Sequence, residues 1–165
     1  MSYDTGRIQF LEKNLDRQMA WIRAAESKIS FVFAIDIAML GLLAAISPKE
    51  ANIWTIAPAI FAAFAAFFGL MSLIFLSVAS FPRTKGPKSS LIYFAGIGQR
   101  DADQFGRAAR EMSAEAYIDD LCIQCHRNAE IAERKFAWVQ RAMVALYLSV
   151  APWFFAIYLL YNIEG

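Results

Sequence analysis

Three stretches of the chain are almost entirely apolar and long enough to cross a lipid bilayer. They cover residues 29–46, 53–80 and 142–162, and Asp36 is the single charged residue within them. A helix needs about 20 mostly apolar residues to cross roughly 30 Å of hydrocarbon. The pattern therefore predicts three transmembrane helices, with a tight break at Pro48 between the first two.

Two further segments carry an apolar stripe at helical spacing. In residues 1–28 the stripe recurs every three or four positions from Ile8 to Ala25, which predicts an amphipathic helix that runs into the first span. In residues 81–141 a second stripe runs from Tyr117 to Phe136, and no Gly or Pro interrupts residues 113–151. The predicted fold is an all-α membrane protein whose long helical extensions pack as a bundle, either with each other or between the subunits of a homo-oligomer.

The segment that follows the second span begins with a loop rich in Pro, Gly, Ser and basic residues, residues 81–90. The short apolar run 91–97 has no partner strand, so we expect a docked turn or a short helix. Asp101 and Gln104 have the spacing of a capping box, and Ser113 can cap the long helix that follows.

Charge fixes the expected orientation. Five basic residues precede Ile29 and ten lie between Phe81 and Arg141, whereas Lys49 alone lies in the hairpin turn. The positive-inside rule then predicts a cytoplasmic amino terminus, a cytosolic segment 81–141 and a carboxyl terminus outside. The net charge of +1 gives no indication of a nucleic-acid partner. The first thirty residues are too polar for a cleavable signal peptide.

A CxxCH motif, Cys122, Cys125 and His126, has the spacing of c-type haem attachment. That chemistry belongs outside the cytosol, and both cysteines are expected on the apolar stripe of their helix, where a thiol packs as a small hydrophobe. A membrane redox carrier built on this motif is a third hypothesis. A zinc site lacks a nearby fourth ligand, and no cofactor or metal is predicted.

Asp36 lies about seven residues into the first span, where a carboxylate is costly and an ionisable group suggests function. It could hold helices together through Ser72 or Ser77 of the second span, or line and gate an oligomeric pore. Small residues of the second span allow close helix approach in either case. They are Ala62, Ala63, Ala65, Ala66 and Gly69.

All three membrane entrances are basic, and the residues concerned are Arg23, Lys28, Arg83, Arg134 and Lys135. Positive flanks ordinarily anchor spans to anionic lipid. The alternative is that some of them converge on a phosphate. The sequence has no phosphate loop, nucleophile elbow or paired-His zinc motif, so an enzyme is not expected.

Several strings, taken with the order of the spans, resemble the transmembrane effectors of Pycsar, the bacterial pyrimidine cyclase system for antiphage resistance. They are residues 23–28 (RAAESK), 91–97 (LIYFAGI), 117–121 (YIDDL) and 131–135 (IAERK). The family tends to show an acidic residue, a small residue and Lys at the first entrance, and Glu26, Ser27 and Lys28 fit this pattern. Asp36 stands where a neutral polar residue is expected.

The resemblance implies an effector of the bacterial inner membrane that senses a cyclic pyrimidine mononucleotide, cyclic CMP or cyclic UMP, made by a partner nucleotide cyclase. The effector then impairs membrane integrity. The five basic residues are the candidate phosphate contacts, with Tyr93, Phe94 and Tyr117 as an aromatic wall for the ligand. The rival hypothesis is a small helical membrane scaffold without a ligand.

Overall fold

The computed structural model describes residues 2–50, 54–82 and 86–164. All regular secondary structure in this part of the chain is helical, and these residues contain no strand. The helices are α1 (Ser2–Ile46), α2 (Ile56–Ser80), α3 (Phe94–Gly98), α4 (Ala102–Glu111) and α5 (Ala114–Glu164). The predicted fold class is confirmed, since α1, α2 and α5 are long and apolar enough to cross a membrane and pack together.

The helix ends follow local sequence signals. α1 ends at Ile46, two residues before Pro48. The Asp101 side chain accepts a hydrogen bond from the Gln104 backbone amide at 2.7 Å, and the Gln104 side-chain oxygen accepts one from the Asp101 backbone amide at 3.4 Å, which confirms the capping box. The Ser113 hydroxyl accepts a bond from the Ala116 amide at the start of α5. The short run after the loop forms α3, as expected.

The chain divides into two compact units. Unit 1 comprises Met1–Ala24 and Pro82–Arg134, and unit 2 comprises Ala25–Phe81 and Lys135–Gly165. The bounds of the predicted spans, residues 29–46, 53–80 and 142–162, describe positions in a bilayer and stay a prediction. The predicted start of the second span, residue 53, lies outside the described residues.

Within unit 1 the two apolar stripes pack against each other. Leu121 and Ile118 of α5 are buried, and the Cys125 thiol donates a hydrogen bond to the Leu11 carbonyl of α1 at 3.4 Å. The Tyr117 hydroxyl donates to Glu12 at 2.9 Å. The two stripes thus contact each other within one chain, as in the first of the two expected arrangements, although Met19 of the α1 stripe is 40% exposed.

Unit 2 has two apolar clusters among its three helices. One contains Ile29, Leu76 and Val139, and the other contains Ala62 and Ala156. A Cβ on Gly69 would lie 3.1 Å from Leu40 Cδ2, so the glycine lets α1 and α2 approach closely. Of the predicted small-residue face, Ala62, Ala65 and Gly69 are buried, whereas Ala63 is exposed.

The outer surface of unit 2 is apolar. Phe31, Phe67, Phe154 and Tyr158 each expose more than half of their side-chain surface. Aromatic residues exposed in this number on a soluble surface would form a patch that favours aggregation. In lipid hydrocarbon, exposed apolar side chains do not favour aggregation in this way. This is the physical basis for placing these helices in a membrane.

Candidate functional site

In unit 1, the loop that precedes α3 is fixed to α5 through Asp120. One oxygen of this carboxylate, Oδ2, accepts hydrogen bonds from the Ser90 hydroxyl and the Leu91 amide, each at 2.9 Å. The Ser90 hydroxyl in turn accepts bonds from the Tyr93 amide and from Gln124. Asp120, Gln124 and Ser90 are all buried, so the network determines the position of Tyr93.

Arg100 closes the same loop from the other side. Its guanidinium donates to the carbonyl oxygens of Gly96 at 2.6 Å, Ser89 at 2.8 Å and Ser90 at 3.1 Å. Backbone carbonyls that would otherwise lack partners are thereby satisfied. Several N–H donors of Arg100 therefore hold the loop in place.

The loop presents an aromatic pair next to a cation. The Tyr93 and Phe94 rings lie 4.7 Å apart, and the Arg127 guanidinium of α5 lies 4.7 Å from the centroid of the Tyr93 ring. Phe94 is 64% exposed. Gly86 packs against Tyr93 and Arg127 so closely that a Cβ would collide with both. We call Arg127, Tyr93 and Phe94 the cation–aromatic cluster.

Arg127 is a residue that sequence reasoning did not select. Two turns of α5 separate it from Arg134, which places both on similar faces of the helix. Within the described part of the chain, no carboxylate or carbonyl accepts a hydrogen bond from its guanidinium. The sequence indicated only that Arg127 is a basic residue on a helical face similar to that of Arg134. The contact of Arg127 with Tyr93 depends on how the loop folds.

Tyr117, the third member of the predicted aromatic wall, has a different role in unit 1. Its hydroxyl donates to Glu12, and burial together with this bond raises the pKa of the phenol above its usual value. Tyr93 and Phe94 therefore form the described aromatic pair, while Tyr117 joins α5 to α1.

Two of the predicted phosphate contacts, Lys28 and Lys135, each contact the facing helix in unit 2, where α1 packs on α5. Lys135 is 7% exposed and its Nζ lies 3.2 Å from Glu26 Oε1. The ammonium of Lys28 lies 5.2 Å from the centre of the Phe136 ring. Arg23 and Arg134 are exposed residues of unit 1, and Arg83 lies outside the described residues.

Asp36 is buried among the helices of unit 2. Its Oδ2 accepts a hydrogen bond from the Ser72 hydroxyl at 2.6 Å, whereas Oδ1 has no partner among the described residues. Ser77, the other candidate partner, donates to the Leu73 carbonyl of its own helix. Asp36 and Ser72 thus join α1 to α2 through one hydrogen bond.

The two cysteines of the CxxCH motif face different surroundings. Cys125 is buried against α1, and burial, aided by nearby Cys122, raises the pKa of its thiol. Cys122 is exposed, so the expectation that both thiols lie on the apolar stripe is wrong for Cys122. Positions three residues apart on a helix differ by about 60° around its axis, which is enough to turn one of them outward.

Unit 1 also contains a cavity of about 450 Å³ beside Ser90. Its lining includes the acidic residues Glu111, Asp119 and Asp120. Three carboxylates repel an anion, so this cavity is a poor place for a phosphate. The cation–aromatic cluster is the better candidate in unit 1.

These features define a helical membrane protein with three candidate spans and a separate helical unit that carries a cation beside exposed aromatic surface. The chain belongs to the Pycsar effectors, because a family model described as the Pycsar effector protein domain matches residues 10–162. It is thus a membrane effector of antiviral defence. The curated proteins and the solved structures contain no significant match to the chain.

Proposed function

We propose that this effector binds a cyclic pyrimidine mononucleotide, cyclic CMP or cyclic UMP, and then impairs the integrity of the bacterial inner membrane. The family match over residues 10–162 carries the proposal, because it includes parts of both units. Family membership implies cyclic pyrimidine signalling and membrane association. The proposal assigns no catalytic step to the chain.

The cation–aromatic cluster of unit 1 supports the binding step. A cyclic mononucleotide has one negative charge and a planar base. The Arg127 guanidinium offers N–H donors to the phosphate, while Phe94 offers an exposed ring on which a base can stack. Gly86 and the Ser90 network fix the residues on both sides of the cluster, which reduces the entropy lost on binding.

The basic residues chosen from the sequence remain in the proposal as alternative phosphate contacts, and those of each unit are considered on their own. They are Arg23, Lys28, Arg83, Arg134 and Lys135. Lys135 is occupied by Glu26, so an anionic ligand would have to displace that carboxylate. Such a displacement changes a contact between α1 and α5, the two helices that run unbroken through both units.

A ligand shifts a conformational equilibrium only by its difference in affinity for the two states. A preference of about a hundredfold corresponds to about 2.7 kcal/mol, within the range of a few charge-assisted hydrogen bonds. In this scheme Asp36 is the intramembrane polar group that a rearrangement of α1 against α2 would affect. We further propose a cytoplasmic amino terminus, a homo-oligomer and functional coupling to a nucleotide cyclase.

The test measures nucleotide binding by calorimetry with the purified full chain, and dye release from liposomes that contain it. Cyclic CMP and cyclic UMP are compared with cyclic AMP. We expect Arg127→Gln and Phe94→Ala to weaken binding about tenfold or more and to reduce dye release in parallel. Arg107→Gln, a matched change at an exposed arginine of α4, should bind and release dye like the parent.

Two outcomes oppose the proposal. If the parent binds neither pyrimidine nucleotide and neither causes leakage, the sensing function fails and the scaffold hypothesis replaces it. If binding persists unchanged in Arg127→Gln and in Phe94→Ala, the ligand site lies away from the cation–aromatic cluster.

A further inference from the structure

A groove of about 550 Å³ runs along the outside of unit 2 between α2 and α5. Phe67, Phe68 and Phe75 of α2 form one wall, and Val144 and Leu148 of α5 form part of the other. Phe67, Val144 and Leu148 are each more than half exposed, so the groove opens outward. Both walls belong to helices that are candidate membrane spans, and lipid is the medium that would surround them.

Near its Ala137 end the groove is polar and positively charged. Arg141 and Gln140 line it there, and the Arg141 guanidinium lies 4.3 Å from the centre of the Trp138 ring. Across the described ranges no carboxylate lies within 4.0 Å of Arg141. The ring contact occupies one face of the guanidinium and leaves its N–H edge for an anion.

The groove extends from the predicted headgroup level into one leaflet of a bilayer. From Arg141 to Leu148 its α5 wall rises about 10 Å at 1.5 Å per residue, which lies within the roughly 15 Å of half a hydrocarbon core. Arg141 immediately precedes the predicted third span and therefore lies at the level of the lipid headgroups.

We propose that this groove binds a single anionic phospholipid, with one acyl chain along the aromatic wall and the phosphate on Arg141 and Gln140. The apolar stretch accounts for the chain, and the lone guanidinium accounts for the negative headgroup. A guanidinium can donate to two phosphate oxygens at once. In a zwitterionic lipid, the positive group of the headgroup would weaken this attraction. This site differs from the nucleotide contacts proposed above and does not depend on them.

The experiment is native mass spectrometry of the full chain in detergent, titrated with phosphatidylglycerol or with phosphatidylcholine of the same acyl chains. We expect phosphatidylglycerol to bind the parent more tightly. Arg141→Gln should reduce its binding about tenfold, to the level of phosphatidylcholine. Val144→Trp, which fills the groove, should reduce the binding of both lipids.

Matched controls are Arg107→Gln for the loss of a surface charge and Tyr147→Trp for an added indole on an exposed position outside the groove. Both should retain parental binding, and circular dichroism checks the fold of every variant. Equal binding of the two lipids by the parent, or unchanged phosphatidylglycerol binding by Arg141→Gln, overturns the proposal. Full competition by glycerol phosphate, which has no acyl chains, also overturns it, because the groove would then bind free phosphate. A dimer that Val144→Trp dissociates overturns it as well, because the groove would then bind a second copy of the chain.

Discussion

Lys135 is almost completely buried, and its ammonium group lies 3.2 Å from the carboxylate of Glu26. A buried ammonium is costly unless an anion compensates it. Glu26 is itself 55% exposed, so water screens the pair and its contribution to stability is small. The carboxylate occupies the position that a phosphate oxygen would take if Lys135 were a ligand contact.

Glu26→Gln should therefore tighten the binding of a cyclic pyrimidine nucleotide, because it removes the anion that competes for Lys135. We expect a threefold to tenfold lower dissociation constant by calorimetry, and a change in unfolding free energy of up to about 1 kcal/mol. Lys135→Gln should have the opposite effect on affinity. Glu133→Gln, at an exposed acid of the same helix, is the control. Unchanged affinity in both pair variants would remove Lys135 from the phosphate contacts.

The hydrogen bond between Ser72 and Asp36 predicts a specific loss of stability. Ser72→Ala would leave both oxygens of a buried carboxyl group without a partner, which should lower the unfolding free energy by about 1 to 3 kcal/mol. Asp36→Asn keeps an oxygen that can accept the Ser72 bond and should cost less. The measurement is thermal unfolding in detergent.

The control for this change is Ser77→Ala in the same helix. Ser77 is exposed and donates only to the Leu73 carbonyl one turn earlier, so its loss should be within about 0.5 kcal/mol. Equal stability of the two alanine variants would show that the Asp36 contact does not hold α1 against α2.

The sequence predicted those features that depend on a few neighbouring residues. Apolar runs located α1, α2 and α5, Pro48 marked the end of α1, and the Asp101 capping box marked the start of α4. These signals are local because a helix satisfies its own backbone hydrogen bonds. The choice of Ser72 over Ser77 required the relative rotation of two helices, which periodicity alone leaves open.

The candidate site was predicted less completely. Tyr93 and Phe94 were selected as aromatic residues near a basic segment, and they do form a pair. Arg127 was missed because its contact with Tyr93 depends on a loop held by Asp120, which is 27 positions away from Tyr93 along the chain. Contacts of this kind follow from tertiary packing rather than from residue spacing.

The two thiols should react at different rates. Cys122 is exposed, whereas Cys125 is buried and burial raises the pKa of its thiol. A raised pKa means a smaller thiolate fraction at any pH below it, and the thiolate is the nucleophile. Between pH 7 and 8 we therefore expect a maleimide to modify Cys122 first, as measured by peptide mass spectrometry. Cys122→Ser should nearly abolish early labelling, while Cys125→Ser should retain it. Equal labelling of both sites would contradict the buried position of Cys125.

The predicted orientation in the membrane, with a cytoplasmic amino terminus, rests on the positive-inside rule, because fifteen of the sixteen basic residues lie on one side of the predicted spans. A reporter enzyme that is active only outside the cytosol should be inactive when fused after Ser90 and active when fused after Gly165. A fluorescent protein that folds only in the cytosol should give the reverse pattern and serves as the control. Activity outside at Ser90 would invert the topology and place the CxxCH motif where haem attachment occurs.

Two glycines of α3 lead to opposite expectations. A Cβ on Gly96 would lie 2.5 Å from the Ser90 carbonyl oxygen and 3.2 Å from that of Pro87, both of which are backbone atoms. Gly98, two residues later, has nothing within 4 Å of the same position. Gly96→Ala should therefore destabilise the protein by about 1 to 3 kcal/mol through overpacking. Gly98→Ala should be neutral or slightly stabilising, since alanine restricts the unfolded chain.

The same pair tests whether the loop positions the cation–aromatic cluster. Arg100 donates to the carbonyl oxygens of Gly96 and Ser90, so displacement of either carbonyl moves the turn that precedes Phe94. We expect Gly96→Ala to weaken nucleotide binding at a temperature where the variant remains folded, and Gly98→Ala to bind like the parent. Thermal unfolding and calorimetry on the same preparations separate the two effects. A Gly96→Ala variant that loses stability but keeps full affinity would contradict this expectation. The clash would then have displaced the turn without affecting the site, so ligand binding would not depend on this loop.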